Sequence, residues 1–414
     1  MTGKTIVYAS LGPELWVYDL DTESASLTHV TTHCFDEVVQ YAWPTRDFSV
    51  LYVAISGAGP MAEVERPNHA VIACHILSDG ALAPFGQPVR LDHRPLHITL
   101  DPQETHLLAA YNIPPMVTVH RLGPNREVGD EVEQDALDFG ETVHQVRVTP
   151  GGDFAIVPAC AHHDNGLTPG RLDIFAYADG KMTPAAQLVP DPERAAAWQS
   201  EWFGAHGFAA RHVDFHPSRP WMYLCLERQS EIALFDYDST GVAPRPRFIK
   251  SALEGGPTGP SAQLASAIHV HPNGRFVYVS NRAWDTEQID GKPVFVGGVN
   301  DITVFEIDPD SGEPTLIQHA DTGGIFPRTF SIDPTGKLLV AGNEQPGWLP
   351  SDDGPRRVTP GLVVFRIGDD GCLTRTKKID FPDNGEVCFW TGIVSVALET
   401  NQDAPANGAS AVAV

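Results

Sequence analysis

Residues 211–237 read RHVDFHPSRPWMYLCLERQSEIALFDY. An apolar run leads into the turn Pro217-Ser218-Arg219-Pro220, a second apolar run ends at Glu227, and an alternating stretch runs from Glu231 to Tyr237. Period-two alternation, aromatic and β-branched residues and turn punctuation identify these runs as strands. A tight turn folds the first two into an antiparallel hairpin. The midpoint of 211 and 227 is 219, inside the turn, so Arg211 and Glu227 are expected to meet at the hairpin's open end.

The phrase recurs along the chain as VQYAWPTRDFSVLYVAISG, LHITLDPQETHLLAAYNI, VHQVRVTPGGDFAIVPACA, AIHVHPNGRFVYVSNR and RTFSIDPTGKLLVAGNE, with turn prolines at 44, 102, 150, 217, 272 and 334. Each copy is followed by an alternating strand: HAVIACHIL, MVTVHRL, RLDIFAY, EIALFDY, DITVFEI and GLVVFRI, with a seventh, ELWVYDL, near the N-terminus. Multi-stranded repeats of this length point to an all-β, seven-bladed β-propeller of four-stranded antiparallel blades. The missing copy is expected to be split between TIVYASL at 5–11 and VCFWTGIVSVAL at 387–398, so that the N- and C-terminal strands close the ring. Residues 1–398 are thus expected to form a single propeller domain and 399–414 a mobile tail. Asp191 and Pro192 suit a helix cap and first turn within the insertion 190–206, whereas 239–262 reads as a long loop.

Composition narrows the function. Acidic residues outnumber basic ones 53 to 28, giving a formal charge of -25, a surface that repels nucleic acid and anionic membranes. Such a surface also disfavours an anionic substrate, unless local arginines reverse the potential inside a cleft. No N-terminal leader pattern and no apolar stretch of spanning length is present, so a cytoplasmic home is expected. The six cysteines form no C-x-x-C pair, and Cys74, Cys160 and Cys225 sit in apolar runs where reduced cysteine behaves as a small hydrophobe. No Walker A, G-x-G-x-x-G, G-x-S-x-G or H-E-x-x-H motif is found. The run AHHDNG at 161–166 reads as a solvated loop rather than a metal site, and neither metal nor cofactor is expected.

Hairpin geometry pairs His97 with Asn112, His144 with Ala161 and His162, His269 with Asn281 and Arg282, and Arg328 with Asn343 and Glu344. If each hairpin forms the inner edge of a blade, these ends share one rim of the channel. His216 and His271, beside the turn prolines, are expected to be structural hydrogen-bonding staples. Arg211 with Glu227, taken alone, suits a structural ion pair as well as a catalytic one. Arg211, Arg282 and Arg328 on one rim would crowd positive charge, which needs an anionic or oxyanion partner.

The segments LHITLDPQETHLLAAYN, HQVRVTPGGDFAIVPA, ARHVDFHPSRPWMYLCLE, AIHVHPNGRFVYVSNR and FPRTFSIDPTGKLLVAGNE resemble successive blades of the seven-bladed propeller lactonase family. That family includes bacterial 6-phosphogluconolactonases and fungal carboxy-cis,cis-muconate lactonizing enzymes. The resemblance implies a catalytic set of His144, Arg211, Glu227 and Arg282, acting on a small lactone or sugar acid. Insertions at 190–206, 240–262 and 283–300 exceed what the phosphogluconate enzyme is expected to carry, and they bear on the substrate.

The expected activity is lactone hydrolysis. Glu227 would be the general base, oriented and kept ionised by Arg211; Arg211 and Arg282 would stabilise the oxyanion, and His144 would protonate the departing ring oxygen. His97, Asn281, Arg328 and Asn343 are expected substrate contacts. The rivals are a cycloisomerase running in the closing direction, a non-catalytic interaction propeller, and a calcium-dependent propeller lactonase.

Overall fold

The computed structural model describes residues 3–57, 68–161, 169–197, 207–255, 263–283, 285–296 and 298–397. Seven antiparallel sheets form the blades of the ring, and an eighth, smaller sheet stands beside them. The inner strands of blades 1 to 6 are Val38–Pro44, Pro95–Leu100, Arg147–Val148, Ala210–Phe215, Gln263–Val270 and Ile325–Ile332. Each is a copy of the recurring phrase. Blade 7 draws on both ends of the chain: Thr391–Ala397 pairs antiparallel with Gly3–Leu11, and Glu14–Asp21 and Ser26–Cys34 complete it. The sequence's expectation of a ring closed by its ends is met.

The core is not central. It consists of seven apolar clusters, each filled from two neighbouring blades. Leu224 and Phe235 of blade 4 pack with Ile156 and Ile174 of blade 3, while Tyr223 and Leu234 pack on the other side with Ile268 and Val279 of blade 5. Alternate residues of one strand thus serve opposite interfaces, and the cluster joining blades 7 and 1 makes the chain of interfaces circular. Among the described residues no helix is long and apolar enough to cross a membrane. All six cysteines are free.

Polar staples link the blades. His216 donates from Nε2 to the Gly274 carbonyl (2.9 Å) and accepts at Nδ1 from the N–H of Arg219 (3.0 Å). His271 likewise reaches Gly336 of the next blade at 2.8 Å. A tyrosine series does the same: Tyr8, Tyr223 and Tyr278 donate their hydroxyls to the carbonyls of Gly80 (2.7 Å), Gly312 (2.8 Å) and Gly371 (2.9 Å).

The register departs from the simple hairpins in one systematic way. In blade 4, Ala210 faces Leu226 and His212 faces Cys225, so Arg211 is an extra residue. The same excess of one falls at Gln40, at Leu96, at 266–267 and at Arg328. In blade 3 the bridge Val143 to Ala159 is followed by Arg147 to Ile156, which leaves one extra residue within 144–146. Six consecutive inner strands therefore carry a β-bulge at one level, which sends two successive side chains to the same side of the strand. The expected cross-strand pairs shift accordingly. His97 faces Ala110 rather than Asn112, and the His144 amide bonds the Pro158 carbonyl (3.0 Å) rather than reaching 161. His269 faces Tyr278, while Arg282 faces Leu264, so His269 leaves the rim altogether.

The insertions are only partly as expected. Helix Pro192–Ala197 is present, with the Asp191 carboxylate accepting from the Glu193 N–H at 3.0 Å. Residues 198–206 lie outside the described residues, as do 162–168, which hold all of the AHHDNG run but Ala161, 256–262 and 398–414, which include the expected tail. The stretch read as a loop from 239 contains a short strand, Gly241–Val242, and Phe248–Ser251, the outer strand of blade 4. Its Phe248 and Ile249 are partly buried against blades 5 and 3, which its glycines and prolines concealed. The stretch 283–300 also forms strands. Thr286–Ile289 and Lys292–Phe295 join Gly347–Leu349 and Arg356–Val358 in the eighth sheet, through a parallel contact of Val294 with Trp348.

Candidate active site

Glu227 stands one residue past the second strand of blade 4. Its N–H donates to the Ala209 carbonyl (2.8 Å), and its carbonyl accepts from the Ala265 N–H (2.9 Å) in the inner strand of blade 5. Its backbone is thus clamped between two blades. Arg211 is turned to the same place by its bulge and donates from Nε to Glu227 Oε1 at 3.2 Å. Arg282, from blade 5, donates from Nη2 to the same oxygen and to the Ala265 carbonyl at 3.1 Å. The three side chains are 1% to 4% exposed, so one carboxylate lies between two guanidinium groups in a water-poor setting. Two buried donors of this cluster, Arg211 Nη1 and Arg282 Nε, have no hydrogen-bond partner among the described residues.

His144 joins the group from blade 3. Its Nδ1 is 3.1 Å from His212 Nε2, and His212 is the chain neighbour of Arg211. Burial, reinforced by Arg211 and His144, holds His212 well below the usual imidazole range, so His212 is neutral. The expected four thus form one contiguous set across blades 3, 4 and 5: His144, through His212, to Arg211, Glu227 and Arg282. Burial, and Arg282 after it, push the Arg211 guanidinium down, against the pull of Glu227.

Blade 6 extends the rim. Arg328 lies 3.7 Å from Glu344 and 3.9 Å above the Phe389 ring. Burial pushes it down to about 9, aided by Arg211, Arg282 and Arg94 and opposed by Glu344. Even so it stays charged at neutral pH. Arg94 packs toward the same ring at 5.6 Å and donates to Gln40 Oε1 at 2.7 Å. The five guanidiniums of Arg94, Arg211, Arg228, Arg282 and Arg328 face two carboxylates, Glu227 and Glu344. In a protein of charge -25, this is the local reversal that an anionic substrate or an oxyanion needs.

The remaining expected contacts divide. His97 is fully buried, 4.4 Å from the Tyr41 ring and 5.9 Å from His212 by ring centroids, with neither ring nitrogen hydrogen-bonded among the described residues. Asn343 is buried beside Glu344, and its amide likewise has no partner there. Asn281 is not brought to the set. Its amide donates to Ala252 (3.1 Å), Asp301 (2.9 Å) and Thr303 (2.8 Å), bonds that tie strands together.

Sequence reasoning missed Arg94, Phe389, Arg228 and the support of Arg282. The Arg282 guanidinium lies 5.4 Å above Phe326, a residue held at φ 59°. Phe295, Leu349 and Val358 of the eighth sheet pack against it. Two insertions therefore cooperate to fix one arginine. A signal for Arg94 existed: extending the repeat upstream aligns Arg94-Pro95 with Phe326-Pro327. Cys160 and Cys225 lie near the set, but burial raises both thiols and Glu227 adds to it, so neither is a nucleophile.

Comparison with known proteins agrees with this architecture. Residues 8–349 match the family model described as lactonase, 7-bladed beta-propeller. The 6-phosphogluconolactonase of Bacillus subtilis (strain 168) is 36% identical over 359 residues, covering 84% of this chain and 89% of that protein. Two solved structures share the fold: a protein from Lactobacillus plantarum (TM-score 0.68, 18% identity, 96% of this chain and 100% of that one) and the periplasmic gluconolactonase of Pseudomonas aeruginosa (TM-score 0.67, 19% identity, 95% and 100%). With that match spanning most of the ring and a curated relative aligned over nearly its whole length, the chain belongs to the seven-bladed β-propeller lactonase family.

Proposed function

We propose that the set around Glu227 opens the ester ring of a sugar-acid lactone or a related carboxylated lactone. That the chain is a lactone hydrolase follows from its family and its 6-phosphogluconolactonase relative; the substrate and the roles below are our reading. The observation that carries it is a buried carboxylate held by two guanidiniums beside a hydrogen-bonded histidine pair. Arg211 and Arg282 keep Glu227 ionised, so that it takes a proton from water as the water oxygen adds to the lactone carbonyl. The same guanidiniums stabilise the resulting oxyanion. As the ring C–O bond breaks, His144 gives its proton to the departing oxygen, and His212 fixes its tautomer. Arg328 and Arg94 bind a carboxylate or phosphate on the acid portion. The free cysteines are compatible with a reducing, cytoplasmic home.

The test is pH-stat titration with 6-phosphogluconolactone, gluconolactone and muconolactone, with muconates as the cycloisomerase arm. Proton release from an aldonolactone, lost in Glu227→Gln, supports the reading. Conversion of muconates alone overturns it.

A further inference from the structure

The bulged strands present a second level of side chains, two to three residues further on. Trp43, Thr99, Arg147, Asp214, His269 and Ser331 line a cavity of about 570 Å³ whose lining includes none of His144, Arg211, Glu227 or Arg282. It lies toward the turn prolines, at the other end of the inner strands from the rim. Its chemistry differs too. Arg46 and Arg147 face Asp101, Glu104 and Asp214 along the lining, so positive charge is not in excess.

Asp214 is held rigidly: Oδ2 accepts from the Val270 N–H (2.9 Å) and Oδ1 from the Phe215 N–H (3.0 Å). Arg147 Nη1 stands 3.5 Å from Oδ1, and His269 Nδ1 stands 3.7 Å from Oδ2. These separations exceed a good charged hydrogen bond, so Arg147, Asp214 and His269 each keep hydrogen-bonding capacity for a polar group placed beside them. The Arg147 guanidinium is fixed between two rings, 5.0 Å from Trp43 and 5.7 Å from Phe215, and His269 sits edge-on to Phe330 at 4.8 Å. The cavity therefore offers an acceptor-only carboxylate next to a donor-only guanidinium, on aromatic walls.

A hydroxyl satisfies both at once, donating to Asp214 while accepting from Arg147. A carboxylate or phosphate would meet Asp214, and an ammonium would meet Arg147. Aromatic faces suit the C–H face of a saturated ring, and the volume falls in the range of small-molecule sites. We propose that this mouth of the channel is a second, non-catalytic site for a neutral polyhydroxylated ring, such as a hexose or a disaccharide. It does not rest on the lactone reading.

The test is a fluorescence titration of the full chain with D-glucose, maltose, D-gluconate and phenol, since Trp43 and Trp390 line the cavity. A saturable response to glucose or maltose is expected, weakened at least tenfold in Asp214→Asn and unchanged in His144→Gln, with lactone turnover of Asp214→Asn unaltered. Should Asp214→Asn fail to fold, Ser331→Phe, which fills the cavity, is read in its place. No saturable response to either sugar up to about 50 mM, a response that persists in the cavity variant, one lost in His144→Gln, or tighter binding of gluconate or phenol than of either sugar overturns the proposal.

Discussion

At the scale of single residues, the roles proposed for Glu227 and His144 make separable predictions. Glu227→Gln is expected to lower kcat by about 10²- to 10⁴-fold, as for loss of a proton-transfer group. It also leaves Arg211 and Arg282 buried without their counter-charge, which costs about 3–5 kcal/mol. Turnover and melting temperature must therefore be read together: a fall in Tm with unchanged kcat would reduce Glu227 to a structural ion. His144→Gln keeps a polar group beside His212 and is expected to lower kcat with little change in Tm. Because two guanidiniums already neutralise Glu227 and repel a dication, turnover is expected to survive chelator; loss of activity restored by calcium would favour the metal-dependent rival.

The buried histidines set a pH limit on stability. His97 and His212 are held well below 6.5, chiefly by burial and then by nearby arginines. In the unfolded chain they bind protons below about pH 6.5, whereas in the fold they do not, so stability falls with pH from there downward. Each contributes about 1.4 kcal/mol per pH unit in that window. Thermal melts between pH 7.5 and 5 should show this slope, and His97→Phe, an apolar ring against Tyr41 and Trp43, should flatten it. An unchanged slope would mean that His97 does not enter the fold uncharged.

At the scale of elements, the tyrosine staples explain why turns of neighbouring blades dock where they do. Tyr278 donates to Gly371, whose φ of +79° and whose contact with the Phe276 ring leave no room for a Cβ. Tyr278→Phe leaves the Gly371 carbonyl unpaired and is expected to cost about 1–3 kcal/mol; Gly371→Ala adds backbone strain and overlap and should cost more. Denaturant midpoints of the two variants check the order. The signal was present in IVYASL, WMYLCLE and FVYVSNR, where a tyrosine recurs in the second strand. Its partner could not be read, because the glycine that supplies the carbonyl stands in a turn of the next blade and nothing in the sequence sets it apart from the other turn glycines.

At the scale of the whole molecule, closure is the decisive contact. Thr391–Ala397 covers the inner edge of Gly3–Leu11, and Trp390 and Val394 fill the interface of blades 7 and 1. Deleting residues 391–414 exposes an unpaired strand edge and should yield aggregated or protease-sensitive protein, whereas deleting 399–414 should leave Tm unaltered. Equal Tm for both truncations would show that the ring does not depend on its closing strand.

The sequence by itself determined the number of blades, the strands within them and the closing ends, which follow from period-two alternation, turn chemistry and the order of a repeat, all local properties. His144, Arg211, Glu227 and Arg282 were singled out as a catalytic set only through the resemblance to the propeller lactonases. The sequence could not place the bulges, because one extra residue changes register without changing composition; hence the misplacement of His269. Nor could it foresee the eighth sheet, whose strands come from separate insertions, or the spending of Asn281 on interstrand bonds. Which polar side chain meets a substrate and which holds a blade together was decided by tertiary packing, since only the assembled ring brings one blade's donor to the next blade's acceptor.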